Sequence, residues 1–267
     1  MLNSIAALAR EAGREIYAIW KAGFATDTKL DGSPVTIADR RAEEIILAGL
    51  ARIAPGTPVI AEEEVAAGRI PAFADRFFLV DPLDGTKGFS EGGKEDFTVN
   101  IGLIENNTPI LGAVYAPASG RLWAGDAKGA WLVQCDPETA QETGTRSAIR
   151  VSDRTGQWRV IGSRTFQGEK FQAFASAVGA AETVAASSSL KFCLLACDEA
   201  DLYPRFGPLM DWDVAAGHAV LRAAGGDVML LDGAAISYGG RARDFTIEGL
   251  IAYGGPASER AARGTLR

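Results

Sequence analysis

Between Phe97 and Val133 the chain repeats one pattern, and it is the pattern that most restricts the fold. From Phe97 to Leu103 apolar residues alternate with Thr98, Asn100 and Gly102, the period of a half-buried strand. Asn106 and Asn107 give a turn signal, Ile110 to Tyr115 returns, and Leu122 to Ala124 and Ala130 to Val133 follow, with Gly125 and Gly129 bounding the last turn. Strands joined by such short turns run antiparallel, so the segment predicts a meander whose apolar face must be covered. Two upstream segments read as helices with one apolar side. Ile5, Leu8, Ala9, Ala12, Ile16, Ile19 and Trp20 form one stripe at helical spacing, with Asn3 as the expected cap and Gly23 as the stop. After a polar loop, Val35-Thr36 leads into a second helix with Ala38, Ala42, Ile45, Ile46 and Leu50 on its apolar side and Pro55 at its end.

The polar, aperiodic stretch Asp136 to Arg150 predicts a boundary, and beyond it the grammar changes. Short strands (Arg159 to Gly162, Glu182 to Ala185, Asp227 to Leu231, Leu250 to Tyr253) alternate with helical patterns (Phe166 to Val178, Leu190 to Ala196, Val214 to Ala224). The expected class is therefore α+β, an antiparallel-sheet half over residues 1–140 and an α/β half over 141–267. An apolar content of 47% with 23% charged residues leaves no room for extensive disorder. A net charge of -7 argues against a nucleic-acid polymer as partner. Arg10, Glu11, Arg14 and Glu15 exclude a signal-peptide core or an integral membrane segment at the start, and a cytoplasmic location is expected, any membrane contact being peripheral to the inner membrane. Cys135, Cys193 and Cys197 are odd in number and form no Cys-x-x-Cys pair, which predicts free thiols acting as small apolar residues.

Carboxylates mark the candidate chemistry. Phe77 to Val80 reads as a buried strand that Pro82, Gly85 and Gly88 should break, which places Asp81 and Asp84 on a turn and leaves the Gly85 and Thr86 amides free for a phosphate oxygen. Pro58 to Ala61 reads as a strand ending in Glu62, Glu63 and Glu64, Asp39 falls in the first turn of the second helix, and Asp213 is the expected N-cap of the helix from Val214. Each acid alone has an ordinary explanation as a turn, cap or solvated residue. Together, Asp39, Glu62, Asp81, Asp84 and Asp213 stand at strand ends or helix starts, the positions from which side chains converge. Without a cation they would repel; with two or three Mg2+ ions the gathering becomes favourable. The only histidine, His218, lies five residues after Asp213 on another face of its helix and reads as a packing residue, so Zn2+ and histidine-based chemistry lose their support.

DPLDGTK at Asp81 to Lys87, Glu62-Glu63, Val35-Thr36 leading to Asp39, and Trp212-Asp213 with Ala215-Ala216-Gly217-His218 resemble the inositol monophosphatase superfamily. Lys87 and the run SSLKFCLLACDEADLYPRFGP from Ser188 to Pro208 resemble its CysQ branch, the 3'(2'),5'-bisphosphate nucleotidases. The resemblance implies a layered αβαβα sandwich of the inositol monophosphatase and fructose bisphosphatase type. It implies that Glu62, Asp81, Asp84, Asp213 and the Leu83 carbonyl hold Mg2+, and that Asp39 and Thr86 help deprotonate a metal-activated water. That water would attack in line while the Gly85 and Thr86 amides hold the phosphate. The implied substrate is a phosphorylated nucleotide of sulfur assimilation, 3'-phosphoadenosine 5'-phosphate, with Ser163, Lys191, Arg205 and Asp213 on the substrate side, and Li+ is the implied inhibitor. Phe166 stands where the family often has His, and Ala61 where it usually has Ser. The alternatives are an inositol or sugar monophosphatase, which Lys87 and the Ser188 to Pro208 run argue against, and a non-catalytic anion-binding relative, which the complete acid set argues against. Oligomeric state is left open by the sequence.

Overall fold

The computed structural model describes the chain apart from residues 25, 29–33, 73, 91–95, 165–166, 241–243 and 267. In chain order the elements are α1 (Leu2–Ala22), β1 (Thr26–Thr28), β2 (Pro34–Thr36), α2 (Ile37–Ile53), β3 (Val59–Ala61), α3 (Glu62–Ala66), β4 (Arg76–Asp84), α4 (Thr86–Ser90), β5 (Thr98–Glu105), β6 (Thr108–Ala116), β7 (Arg121–Asp126), β8 (Gly129–Gln134) and β9 (Ser147–Ile149). They continue as β10 (Trp158–Ser163), α5 (Glu169–Val178), β11 (Ala180–Ala186), α6 (Leu190–Ala196), β12 (Leu202–Arg205), β13 (Leu209–Met210), α7 (Asp211–Ala224), β14 (Asp227–Leu230), β15 (Thr246–Ile247), β16 (Leu250–Tyr253) and α8 (Pro256–Arg263).

The alternating segment is the predicted meander. Strands β4 to β9 pair antiparallel in sequence order, and β3 adds to β4 in parallel, giving a seven-stranded sheet over the described residues. Strand β9 falls within the polar stretch, so the sheet extends to Ile149. A second, five-stranded mixed sheet has the order β11-β10-β12-β16-β14. Strand β12 is not among the expected strands; it contains Pro204, which cannot donate to a ladder, and forms where its neighbour β16 supplies the register.

Three cores separate five layers. One face of the larger sheet (Phe78, Val80, Ile101, Ala113) packs on the predicted stripes of α1 and α2, including Ile5, Leu8, Ile16 and Ile46. Its other face (Leu79, Val114, Trp123) shares a core with α6, α7 and the inner face of the second sheet. The outer face of that sheet (Val160, Leu202, Ile251) is covered by Phe171 and Phe174 of α5 and Ala262 of α8. This is the αβαβα order. Two caps differ from expectation. Helix α1 begins at Leu2 with Met1 as its cap, so Asn3 lies inside the first turn, where its Oδ1 accepts from Arg146. Helix α7 begins at Asp211, three residues before the expected start at Val214.

Helix α7 rests on bare backbone. Gly102, Gly112 and Gly125 are in register across β5, β6 and β7, forming a row without side chains. A Cβ on Gly112 would stand 2.2 Å from the Ala216 carbonyl oxygen, and one on Gly102 3.0 Å from the Ala216 amide nitrogen. Small residues Ala215, Ala216 and Ala219 meet that row, so the helix seats closely enough to bring its first turn to the end of β4. Among the described residues no helix is long and apolar enough to cross a membrane.

Candidate active site

Strand β4 does not stop at Val80. It runs through Pro82 to Asp84, with Asp81 opposite Asn100 and Asp84 opposite Thr98. Three steps along β4 thus match two along β5, which is a one-residue bulge. In a regular strand residues three apart face opposite sides; the extra residue resets the alternation and puts both aspartates on one side. The turn expected at Pro82 is therefore this bulge, and the true turn is Gly85, which adopts φ +95°. Strand β3 pairs with β4 so that Ala61 lies beside Val80, delivering Glu62, the first residue of α3, to the neighbourhood of Asp81.

Four aspartates are held in the same way. Each commits one carboxylate oxygen to a main-chain N–H: Asp39 to Thr36 at 2.7 Å, Asp81 to Leu83 at 2.9 Å, Asp84 to Ser189 at 2.6 Å and Asp213 to Met210 at 2.8 Å. Asp39 also closes a capping box with Thr36, and Asp213 is the third residue of α7 reaching back, rather than the cap itself. The second oxygen of Asp39 accepts the Thr86 hydroxyl at 3.1 Å, and that hydroxyl lies 2.9 Å from the Leu83 carbonyl oxygen.

Burial first, then the charges of Glu62, Asp84 and Asp213, pushes the Asp81 carboxyl well above its ordinary range. Burial likewise raises Asp213, with Asp84 and Glu62 adding to it. Burial raises Asp84 to about 6 against the opposing pull of Lys191. Asp39 is raised by burial, which outweighs the lowering hydrogen bonds from Thr36. Glu62, Asp81, Asp84 and Asp213 are thus within electrostatic range of one another, and Glu62 also acts on Asp39. Among the described residues no three acidic, His or Cys side chains are already gathered closely enough to hold a metal. The donors nevertheless fit a hard cation: all are oxygens, Asp81 is buried and Glu62, Asp84 and Asp213 half-buried, the three aspartates are each oriented by a main-chain N–H, and their gathered charge calls for a positive partner.

The second half supplies that half of the charge balance. Lys191 in α6 is buried, its ammonium 2.6 Å from the Ser188 carbonyl oxygen and 5.1 Å from the Tyr203 ring centre. Burial lowers it to about 8, although Asp84 pulls the other way. Arg205, at the end of β12, reaches the Gly207 and Pro208 carbonyls, each at 3.3 Å. A cavity of about 210 Å³ brings Lys191, Arg205, Ser163, Lys87, Gly85, Asp84 and Asp213 to one surface. A second pocket of about 640 Å³ shares Ser163, Tyr203 and Arg205 with it and adds Phe171 and Phe206. Asp84 and Asp213 belong to both the acid group and the cavity wall.

Phe166 lies outside the described residues. His218 is buried between the Tyr238 hydroxyl at 2.8 Å and Asp227 at 2.6 Å, the packing role expected of it. Cys193 is buried in the central core, and Trp123 donates to the Cys197 sulfur at 3.1 Å. Sequence reasoning missed Asp96, Asn100 and the triplet Ser187 to Ser189, which join the two halves beside Asp84. Asp96 accepts from Arg164 and from the Ser187 amide at 3.1 Å. Three consecutive serines after a strand are a turn signal, but nothing local tells which residue across the chain they meet.

The profile of the inositol monophosphatase family matches residues 1–262. The chain is 41% identical over 240 residues to the 3'(2'),5'-bisphosphate nucleotidase CysQ of Shigella flexneri, spanning 89% of this chain and 94% of that protein. It is 40% identical over 240 residues to the protein of the same name from Escherichia coli K12, with the same 89% and 94% shares. Its fold matches the crystal structure of CysQ from Bacteroides thetaiotaomicron, a bacterial member of the inositol monophosphatase family, with a TM-score of 0.76 at 31% identity over 95% of this chain and 97% of the other.

Proposed function

The chain belongs to the inositol monophosphatase family, and from that premise we propose that it is a Mg2+-dependent, Li+-sensitive 3'(2'),5'-bisphosphate nucleotidase. It converts 3'-phosphoadenosine 5'-phosphate to AMP and phosphate. The observation that carries this reading is the meeting of Asp84 and Asp213, two members of the acid group, with Lys191 and Arg205 around one cavity, in a chain about 40% identical to bisphosphate nucleotidases.

Glu62, Asp81, Asp84, Asp213 and the Leu83 carbonyl are the residues that would hold two or three Mg2+ ions. When bound, Mg2+ supplies positive charge that polarises the phosphoryl oxygens and makes a nearby water more acidic. The chain's own residues do the rest. The Thr86 hydroxyl has one hydrogen and two neighbouring acceptors, so it donates to Asp39 or Leu83 and offers a lone pair to a water. Asp39, made more basic by burial, takes the proton as that water attacks phosphorus opposite the departing sugar oxygen. The phosphorus–sugar oxygen bond breaks as the new phosphorus–oxygen bond forms, and the released alkoxide is protonated from solvent. The Gly85 and Thr86 amides hold the phosphoryl oxygens, and Ser163, Lys191 and Arg205 hold the remaining phosphorylated nucleoside.

We divide this labour between halves 1–140 and 141–267, the second lending β9 to the sheet of the first: the first carries most of the acids and the second carries Asp213 and the substrate cations. A cytoplasmic location is part of the proposal. The deciding measurement is phosphate release with Mg2+, with and without Li+, from 3'-phosphoadenosine 5'-phosphate and inositol 1-phosphate side by side. Preference for the nucleotide and loss of rate with Li+ are expected; equal rates on both substrates would assign the chain to monophosphate hydrolysis instead.

A further inference from the structure

Ser187, Ser188 and Ser189 lie between β11 and α6, and every one of them crosses to the first half. Ser187 N–H donates to Asp96 Oδ2 at 3.1 Å. The Ser188 hydroxyl lies 2.6 Å from the Asp96 carbonyl oxygen and 3.1 Å from that of Asp84. Ser189 N–H holds Asp84 Oδ2 at 2.6 Å. The Ser189 hydroxyl donates to Asn100 Oδ1 at 2.6 Å, which makes Thr98, 2.8 Å away, the donor to it. Thr98, Asn100 and Ser189 are all buried.

The geometry is particular to this contact. Ser188 adopts φ +54°, a conformation that residues with a side chain seldom take. A Cβ on Gly85 would stand 2.4 Å from the Ser188 hydroxyl, so the missing side chain there is what lets Ser188 reach the end of β4. The same residue's carbonyl receives Lys191.

We propose that Ser188 and Ser189 form a positioning clasp that fixes the rotamer of Asp84, presenting Oδ1 to the cation site while the Ser188 carbonyl fixes Lys191 on the substrate side. The inference rests on Asp84 being a cation ligand, the role given to it above. Without the clasp, Asp84 stands in a group of like charges and is free to turn away. A contact that served packing alone would not need a main-chain donor on one carboxylate oxygen and a hydroxyl bound to two buried polar partners.

The test uses the full-length protein with Ser188→Gly and Ser189→Ala, folding being checked by circular dichroism without metal. Glycine takes the φ of Ser188 without strain, so Ser188→Gly removes the hydroxymethyl group without forcing the backbone and carries the test if Ser189→Ala fails to fold. Binding of Mg2+ alone, measured by calorimetry, is expected to weaken by about tenfold, the effect of losing a group that orients a ligand. The Mg2+ concentration for half-maximal phosphate release should rise in step, and saturating Mg2+ should restore most of kcat. Folded variants that bind Mg2+ as tightly as the wild type overturn the clasp. If the wild type binds Mg2+ yet releases no phosphate from the bisphosphate nucleotide, the functional reading fails, while weaker Mg2+ binding in the variants still upholds the clasp.

Discussion

The two sides of the cleft are built differently. On the first side the Asp39 and Asp81 carboxylates are oriented by main-chain N–H groups at the end of β2 and within β4, Glu62 opens α3, and Asp84 sits at the end of β4 with its N–H partner reaching over from Ser189. On the second side Lys191 and Arg205 are steadied by carbonyls of the connecting segments at Ser188, Gly207 and Pro208. A group oriented by a helix or strand moves only if the element moves, whereas one oriented by a loop follows the loop. On the proposed reading, the chemistry is fixed on the first side and the choice of substrate is adjustable on the second.

The sharpest way to break that contrast is Asp84→Asn, which should lower phosphate release by more than about a hundredfold, as expected for losing charge at the reacting phosphate. Near-normal turnover would remove the first side from the reaction. Arg205→Ala should cost about tenfold in kcat/KM on the bisphosphate nucleotide, in keeping with one charged hydrogen bond, and less on a nucleoside 3'-monophosphate. An equal loss on both substrates would make Arg205 a general rather than a selective contact. Gly112→Val tests the seat of α7. Overpacking there should destabilise by about 3 kcal/mol, lowering the thermal midpoint by roughly 6–12 °C, with Mg2+ binding weakened through Asp213.

The smallest effect is the pH dependence of the metal-free protein. Asp84 moves from 3.8 to about 6 in the fold, so the folded state holds the proton over a range in which the unfolded chain has lost it. Its contribution is full below that window and falls as pH rises from about 4 to 6. Mg2+ favours the carboxylate, so the gain in thermal midpoint on adding Mg2+ should grow across the same window, and Asp84→Asn should flatten that growth. A gain independent of pH would detach Asp84 from the cation site.

Much of this was readable from residues. The alternation from Phe97 to Val133, the stripes of α1 and α2, and the strand and helix order of the second half depend on local periodicity, which the tertiary fold preserved. Asp81, Asp84 and Glu62 stood out because glycine, proline and charge interrupt apolar runs. What escaped was non-local. Pro82 argued against a continuing strand, yet β4 runs through it because β5 sets its register, and β12 forms beside β16 where the sequence offered no strand pattern. The bulge that aligns Asp81 with Asp84 depends on β5, and the serine triplet depends on Asp96 and Asn100, all distant in sequence.

The glycine row beneath α7 has a consequence for how such a protein tolerates change. A cylinder lying on main chain has a single notch, because alanine methyls and carbonyl oxygens interlock there with no longer side chains to absorb an error. Deleting one residue between Asp213 and Gly217 would turn the start of that cylinder by about 100° and swing its carboxylate out of the cleft. The acid supplied from farthest along the polypeptide is thereby the one whose angular setting is most strictly indexed.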